Sequence, residues 1–282
     1  MITCPRCSAK VPPQARNCVG CQEDVGFPNV RLAKKEEEQI ALGVRLQNAR
    51  TAAAARHAEF ALADFGLAVT NSNAVIARGL ATLDNLVKSD NILYISYHPQ
   101  VRSGARIPEE NKWDMGRTSA ESTVNPFFFE DITFACVSLD GIGPNGYGDY
   151  HITLKKRLID QRTTVFEENV FSFCRRHRVI AGEAAPPGYR ASWEQRDQLA
   201  MAKLQPAISS ATTAAHFPRI LVAPGTHSGD GDFIEAHIFG PLHRSAIERV
   251  VGPKPKRGAD LAIWRSIQRT LHNLGAVIEE SA

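Results

Sequence analysis

Ile132-Thr133-Phe134-Ala135-Cys136-Val137-Ser138-Leu139 is a run of β-branched, aromatic and small apolar residues with no glycine or proline. Such a run reads as a strand. Segments of the same character flank it. Residues 92–97 are β-rich and stop at Pro99, and 150–154, 163–166, 170–173, 219–223 and 232–238 follow downstream. Between them, residues 103–126 are polar, carry Pro108, Gly116 and Pro126, and read as a long loop. A helix is predicted from Ser192, which forms a capping-box pattern with Gln195, to about Leu204. A second begins near Asp260, turns Ile263, Ile267, Leu271 and Leu274 inward, and ends at Gly275 before a terminal strand at 276–278. Strand runs with helices segregated from them predict an α+β domain over 91–282, built on a mixed, mainly antiparallel sheet with flanking helices.

Upstream, residues 29–90 read as a helical connector. The stretch 34–67 contains no proline, and Leu42, Leu46, Ala49, Ala53 and Phe60 recur at helical steps. Glu36, Glu37 and Glu38 suit the positive end of the helix dipole. Gly43 and Arg56 interrupt any coiled-coil seam, and the alanine-rich stripe fits two arrangements: packing on the chain's own domain, or a dimer contact through the 34–67 helix. Asn71-Ser72-Asn73 then breaks the pattern and offers a cap for a second helix carrying Ile76, Leu80, Leu83 and Val87. Two helices joined by this polar turn predict a helical hairpin.

Residues 1–28 hold four of the six cysteines. Cys4-Pro5-Arg6-Cys7 and Cys18-Val19-Gly20-Cys21 form two C-x2-C turns. Two intervening residues allow both sulfurs of a turn to face one ion, and two turns complete a closed tetrahedral thiolate shell. Pro5 and Gly20 sit inside the turns, where tight chain reversal is needed. The segment resembles a short zinc ribbon of the rubredoxin-knuckle type. With no open coordination position, Zn2+ there is expected to be structural. Few basic residues flank the turns (Arg6, Lys10, Arg16) and Phe27 is the one nearby aromatic, so docking of a protein or nucleic-acid partner and plain structural capping both remain open.

The composition bounds the rest. The 282 residues are 43% hydrophobic and 22% charged with a formal net charge of +3, which excludes a chain disordered throughout. The charge excess is too small to imply nucleic-acid binding by itself. No run approaches the roughly 20 apolar residues of a membrane span. Met1-Ile2-Thr3-Cys4 has neither a basic nor an apolar leader segment. Clustered cysteines suit a reducing compartment, so a cytoplasmic protein is expected.

Gly141-Ile142-Gly143-Pro144-Asn145-Gly146 satisfies G-x-G-x-x-G literally, but a strand follows it where a dinucleotide fingerprint needs a helix, and Asn145-Gly146 is a hairpin signal. Chemistry is sought on strands with a polar face. Alternation puts Glu235 and His237 on one side of 232–238, with Ile234, Ala236 and Ile238 on the other. It likewise groups Asp149, His151 and Thr153. Other segments contribute Ser138, Arg102, Arg106, His227 and Asp230. The competing reading makes these faces the solvated side of a sheet.

The order of these elements resembles the core of a mono-ADP-ribosyltransferase. An early strand has a nearby Arg or His (94–102), a middle strand ends in Ser138, and Tyr147-Gly148, Arg162-Thr163-Thr164 and Phe233-Ile234-Glu235-Ala236-His237-Ile238-Phe239-Gly240 follow. The resemblance implies that Glu235, with His237 beside it, stabilises an oxocarbenium-like ribose as nicotinamide leaves NAD. It implies that His98, Arg102 and Ser138 hold the dinucleotide. Phe233 stands where that family carries Glu or Gln, two positions before the catalytic glutamate. Two other readings stay open. One is a metal-dependent hydrolase or nuclease built on His98, Asp149, His151, Glu235 and His237. The other is a non-catalytic zinc-ribbon adaptor using Lys254-Pro255-Lys256-Arg257 and Arg175-Arg176-His177-Arg178 toward nucleic acid or a protein. Cys136 and Cys174 read as small buried apolar residues.

Overall fold

The computed structural model describes residues 2–108, 112–180, 182–224 and 231–281. Its centre is an eight-stranded sheet. The strands are β1 (Asn73–Arg78), β2 (Ile132–Ser138), β3 (Tyr150–Leu154), β4 (Thr163–Phe166), β5 (Arg190–Ser192), β6 (Glu235–Phe239), β7 (Ile247–Pro253) and β8 (Val277–Ser281). They lie in the order β8-β7-β3-β1-β2-β6-β4-β5. Only β7 with β8 is parallel, and every other neighbouring pair runs antiparallel. The architecture is therefore α+β with a mixed, mainly antiparallel sheet.

Helices α1 (Glu36–Ala54), α2 (Glu59–Thr70), α3 (Leu80–Val87), α4 (Lys112–Val124), α5 (Val170–His177), α6 (Arg196–Leu204) and α7 (Gly258–Asn273) surround it. One face of the sheet, including Ile76, Val137, Ala236, Ile238 and Val165, merges with buried residues of α1, α2, α3, α6 and α7 into a single apolar core. Leu42, Leu46, Ala49 and Ala53 are buried, and α1 packs against α6, so the stripe is covered by the chain itself. Glu38 is also buried. Its carboxylate pairs with Arg190 Nε at 2.9 Å and accepts the Gly188 N–H at 2.6 Å, which ties α1 to the edge strand β5. Among the described residues no helix is long and apolar enough to cross a membrane.

Several elements differ from the sequence reading, each for a physical reason. The helical hairpin is made by α1 and α2, and the 34–67 helix breaks between them, where His57 takes a left-handed φ of 55°. Phe60, beyond the break, is 80% exposed instead of continuing the stripe. The helix expected after Asn71-Ser72-Asn73 is strand β1, and only 80–87 is helical. A strand between two neighbours in a covered sheet is apolar on both faces and loses its alternation, so Ala74, Val75, Ile76 and Ala77 imitate a buried helix.

The predicted loop 103–126 contains α4, and the predicted strand 170–173 is the start of α5. Helix α4 is laced by Arg117 to Glu121 at 2.8 Å and Arg117 to Asp114 at 3.6 Å, pairs at helical spacing. Its Gly116 faces Phe171 of α5, whose ring would lie 3.2 Å from an added Cβ. Asn169 caps α5, its Oδ1 accepting the Phe171 N–H at 3.1 Å. Residues 92–97 pair only over Leu93–Tyr94, and 219–223 is helical through Leu221, with Pro218 in its first turn. Asn145-Gly146 joins no hairpin of neighbouring strands, because β1 lies between β2 and β3.

The cysteine-rich segment folds beside this body. Ile2–Thr3 pairs with Lys10–Val11, and Cys4, Val11 and Cys18 form its small buried cluster.

Candidate functional site

Cross-strand register gathers the site on the sheet face opposite the main core. Glu235 is opposite Cys136 and Phe166, His237 is opposite Phe134 and Thr164, and Val75 is opposite Cys136. Directly paired residues share a face, so these side chains form one patch. Helices α4 and α5 cover part of it and leave a cleft of about 560 Å³, in the range of small-molecule sites. Arg78, Tyr97, Arg117, Glu121, Tyr147 and Glu235 are among its walls.

Glu235 is 5% exposed. Its Oε1 accepts from Asn169 Nδ2 at 3.1 Å, so the amide that caps α5 spends its other end on the carboxyl. Its Oε2 lies 3.1 Å from His237 Nε2. Burial, reinforced by the negative charge of Glu121, pushes the Glu235 carboxyl up to about 8, against the Asn169 hydrogen bond and the Arg117 charge. His237 lies beneath it, 1% exposed, between the Phe134 edge at 4.9 Å and the stacked Phe166 ring at 5.5 Å. Burial, with Arg190 nearby, pushes this imidazole down to about 3, so it is neutral.

Asn125 reaches His237 Nδ1 with either end of its amide, Nδ2 at 3.2 Å or Oδ1 at 3.3 Å. A protonated Glu235 donates to Nε2 while Nδ1–H donates to the Asn125 oxygen. An ionised Glu235 accepts Nε2–H while Nδ1 accepts from the Asn125 NH2. The imidazole thus supports both states of the carboxyl by changing tautomer, without being charged.

The cationic wall divides into committed and uncommitted groups. Arg117 is bonded to Glu121, and Arg106 lies 3.3 Å from Asp114, with both guanidinium groups over the Tyr97 ring at 4.5 and 4.7 Å. Arg78 has no carboxylate partner among the described residues. It donates to the Tyr94 hydroxyl at 2.6 Å and to the Ala77 carbonyl at 2.6 Å, both neutral acceptors. Gly148, at φ 129°, seats this arginine: a Cβ there would come within 2.1 Å of the Arg78 carbonyl carbon.

Of the residues singled out in the sequence, Glu235 and His237 come together. His98 is not among the residues that line the cleft, and its Nε2 lies 2.9 Å from Glu121 Oε2. Arg102 pairs with Glu130 on the surface. The Ser138 hydroxyl is engaged by its own turn, 2.8 Å from the Ile142 carbonyl and 3.0 Å from Asp140 Oδ1, and it accepts the Gly141 N–H at 3.1 Å. His227 and Asp230 lie outside the described residues. Sequence reasoning missed Arg78, Arg117, Glu121, Asn125 and Asn169. For Asn169 a signal existed, an Asn directly before an apolar run, which is a cap pattern.

The ligating atoms of His98, Asp149, His151, Glu235 and His237 do not gather at one point among the described residues. His151 Nδ1 instead accepts the Gly143 N–H at 3.0 Å. Glu167, Glu168 and His177 do approach one another, but Arg176 lies 2.5 Å from Glu167 and 2.7 Å from Glu168, and Arg45 pairs with Glu167. That group is neutralised internally. Of the basic clusters, Arg176 is spent here and Lys254 lies 3.2 Å from Glu280.

At the other end of the chain, all four cysteine sulfurs lie within 4.8 Å of one another, with Cys4 to Cys21 at 3.6 Å and Cys7 to Cys18 at 3.5 Å. A tetrahedral ion with 2.3 Å metal–sulfur bonds separates its ligands by about 3.8 Å, so the cluster is compatible with a small zinc ribbon. Ser8 and Gln22, each just after a C-x2-C pair, take positive φ values of 60° and 63° and turn the chain back. Backbone N–H groups of Cys21 and Gly20 pull the Cys18 thiol down to about 7, while the neighbouring sulfurs, Cys7 first, push the Cys21 thiol up to about 12.

No family model matches the chain, and no curated protein matches it. Its fold is similar to solved structures of DarT from Thermus sp. 2.9. The structure in complex with carba-NAD+ gives a TM-score of 0.36 at 9% identity over 75% of this chain and 96% of that one. The complex with ADP-ribosylated ssDNA gives 0.38 at 8% over 75% and 94%, and the NAD+ complex 0.35 at 9% over 74% and 96%. Likeness this distant fixes no residue correspondence, and the chemistry of the cleft rests on its own side chains.

Proposed function

We propose that the cleft binds NAD, breaks its nicotinamide–ribose bond and transfers the ADP-ribosyl group. The observation that carries this is a buried carboxyl bonded to neutral side chains, Glu235, at a cleft walled by aromatic rings and by Arg78, a guanidinium without an acidic partner among the described residues. NAD matches each part. Its diphosphate is the anion Arg78 can hold, its planar rings suit Tyr97 and Tyr147, and its cationic nicotinamide ribosyl centre suits a carboxylate. As the glycosidic bond breaks, its electron pair leaves with nicotinamide and positive charge grows on the ribose. An ionised Glu235 held by Asn169 and His237 stabilises that charge without reorganising. The acceptor nucleophile then bonds to the ribose carbon and its proton passes to solvent.

Burial keeps Glu235 protonated in the free protein at neutral pH, and the arriving cation favours loss of that proton. The carboxylate is thereby brought out by the substrate that needs it. The second element of the proposal is one structural Zn2+ held by Cys4, Cys7, Cys18 and Cys21, which would fix the fold of the first 26 or so residues.

The direct test is incubation of the full chain with NAD and measurement of free nicotinamide, and absence of release rejects the reading. Arg78→Ala is expected to raise the KM for NAD about tenfold or more while changing kcat much less, because a charge-assisted hydrogen bond to phosphate contributes mainly to binding. Gly148→Ala should produce the same KM effect with Arg78 still present, since the added methyl displaces the arginine's backbone. An unchanged KM in both proteins would remove Arg78 from the site.

A further inference from the structure

We infer that Asn29, which precedes α1 and lies outside the cleft, is a positioning residue for the Glu235–His237 pair, and that through it the cysteine-rich module holds strand β6 in place. This rests on the reading of the cleft as the NAD site. Asn29 is 1% exposed. Its side-chain amide has two hydrogens, and both are used on the sheet: Nδ2 donates to the His237 carbonyl at 2.9 Å and to the Arg162 carbonyl at 3.0 Å.

Those carbonyls belong to the strand bearing Glu235 and to the approach to its neighbour β4. The ladder between the two strands runs from Glu235 opposite Phe166 to Ile238 opposite Thr163. Asn29 closes the pairing near the end where the ladder stops, at the residue whose imidazole supports Glu235. Asn29 itself belongs to a short helix, Pro28–Ala33. Two residues on, the Arg31 guanidinium donates to carbonyls of the cysteine module: Pro13 at 2.6 Å, Ala15 at 2.8 Å and Gly26 at 2.5 Å. The Phe27 ring also lies 5.8 Å from Phe239 at the end of β6, and the Arg16 guanidinium lies 4.2 Å over the Phe27 ring.

The module, Arg31, Asn29 and His237 therefore form one chain of contacts. Asn29, Arg31 and His237 are not among the residues that line the cleft, so the effect of these contacts falls on the placement of the Glu235 carboxyl. A misplacement of about 1 Å at a reacting centre can cost on the order of 10²-fold in rate.

The test uses the full chain carrying Asn29→Ala, with Arg31→Ala as a second, more exposed break in the same path. Imidazole 15N signals of His237, identified by their loss in His237→Gln, are recorded without NAD, along with hydrogen exchange of amides in 235–239. Asn29→Ala is expected to shift the His237 signals, to speed exchange of those amides about tenfold, and to lower kcat for nicotinamide release about tenfold to a hundredfold with KM within about twofold. Arg31→Ala should move the same signals in the same direction by less. A folded Asn29→Ala protein with unchanged His237 signals and kcat overturns the proposal. So does an Arg31→Ala protein with unmoved signals, which also decides the matter should Asn29→Ala fail to fold. If the wild-type chain releases no nicotinamide, the reading of the cleft fails separately, while the His237 signals still judge the coupling.

Discussion

Glu235→Gln is expected to fold as the wild-type chain does and to release nicotinamide about 10²–10³-fold more slowly, with little change in KM. The amide is isosteric with the carboxyl and keeps an oxygen for Asn169 Nδ2, but it cannot become an anion. What it loses is the charge that meets the ribose only as the bond breaks, and removal of one such preorganised group typically costs this much. Undiminished release would move the chemistry elsewhere.

The pH dependence should carry the same signature. With the Glu235 carboxyl near 8 in the free protein, kcat/KM for NAD should climb about tenfold per pH unit below that value and level off above it. Stability should run the other way. A carboxyl whose folded value is raised from 4.5 to about 8 binds its proton more tightly in the native state. Its contribution is complete below about 4.5, fades as pH rises through 8, and is gone beyond that. Thermal unfolding of Glu235→Gln should therefore match the wild type near pH 5 and exceed it near pH 9.

Stripping metal should have the next largest effect. Chelation, or Cys18→Ser, is expected to unfold residues 2–26 while the sheet stays folded, and the intact chain should bind about one zinc. The buried cluster of this module is Cys4, Val11 and Cys18, too small to offset the ordering of some 25 residues. Structural zinc contributes on the order of 10–16 kcal/mol in such modules. Amide NMR signals of residues 2–26 give the readout. Their survival after complete metal removal would mean that apolar packing and the contacts of Arg31 suffice.

Local chemistry determined what could be read directly. Two C-x2-C turns bring sulfurs together by spacing alone, β2 and β6 have the composition of strands wherever they pack, and the side-by-side placement of Glu235 and His237 follows from the two-residue period of a strand. The final helix and strand were legible because α7 is amphipathic and Gly275 ends it at φ 71°.

The rest was decided by the tertiary structure. Strand β1 carries Arg78, but as a central strand it is apolar on both sides, and the period that would distinguish it from a helix is erased. Helix α4 supplies Arg117 and Glu121 from a polar stretch that reads as a loop, since its ion pairs form only once the stretch is helical and its fit of Gly116 against Phe171 exists only once α5 is beside it. Ser138 and Arg102 had the right chemistry for a ligand, yet neighbouring groups in the fold claim their polar atoms. A sequence records which groups are available. Which remain free to meet a ligand depends on contacts between residues far apart in the chain, and here those contacts leave Glu235 and Arg78 facing the same cleft.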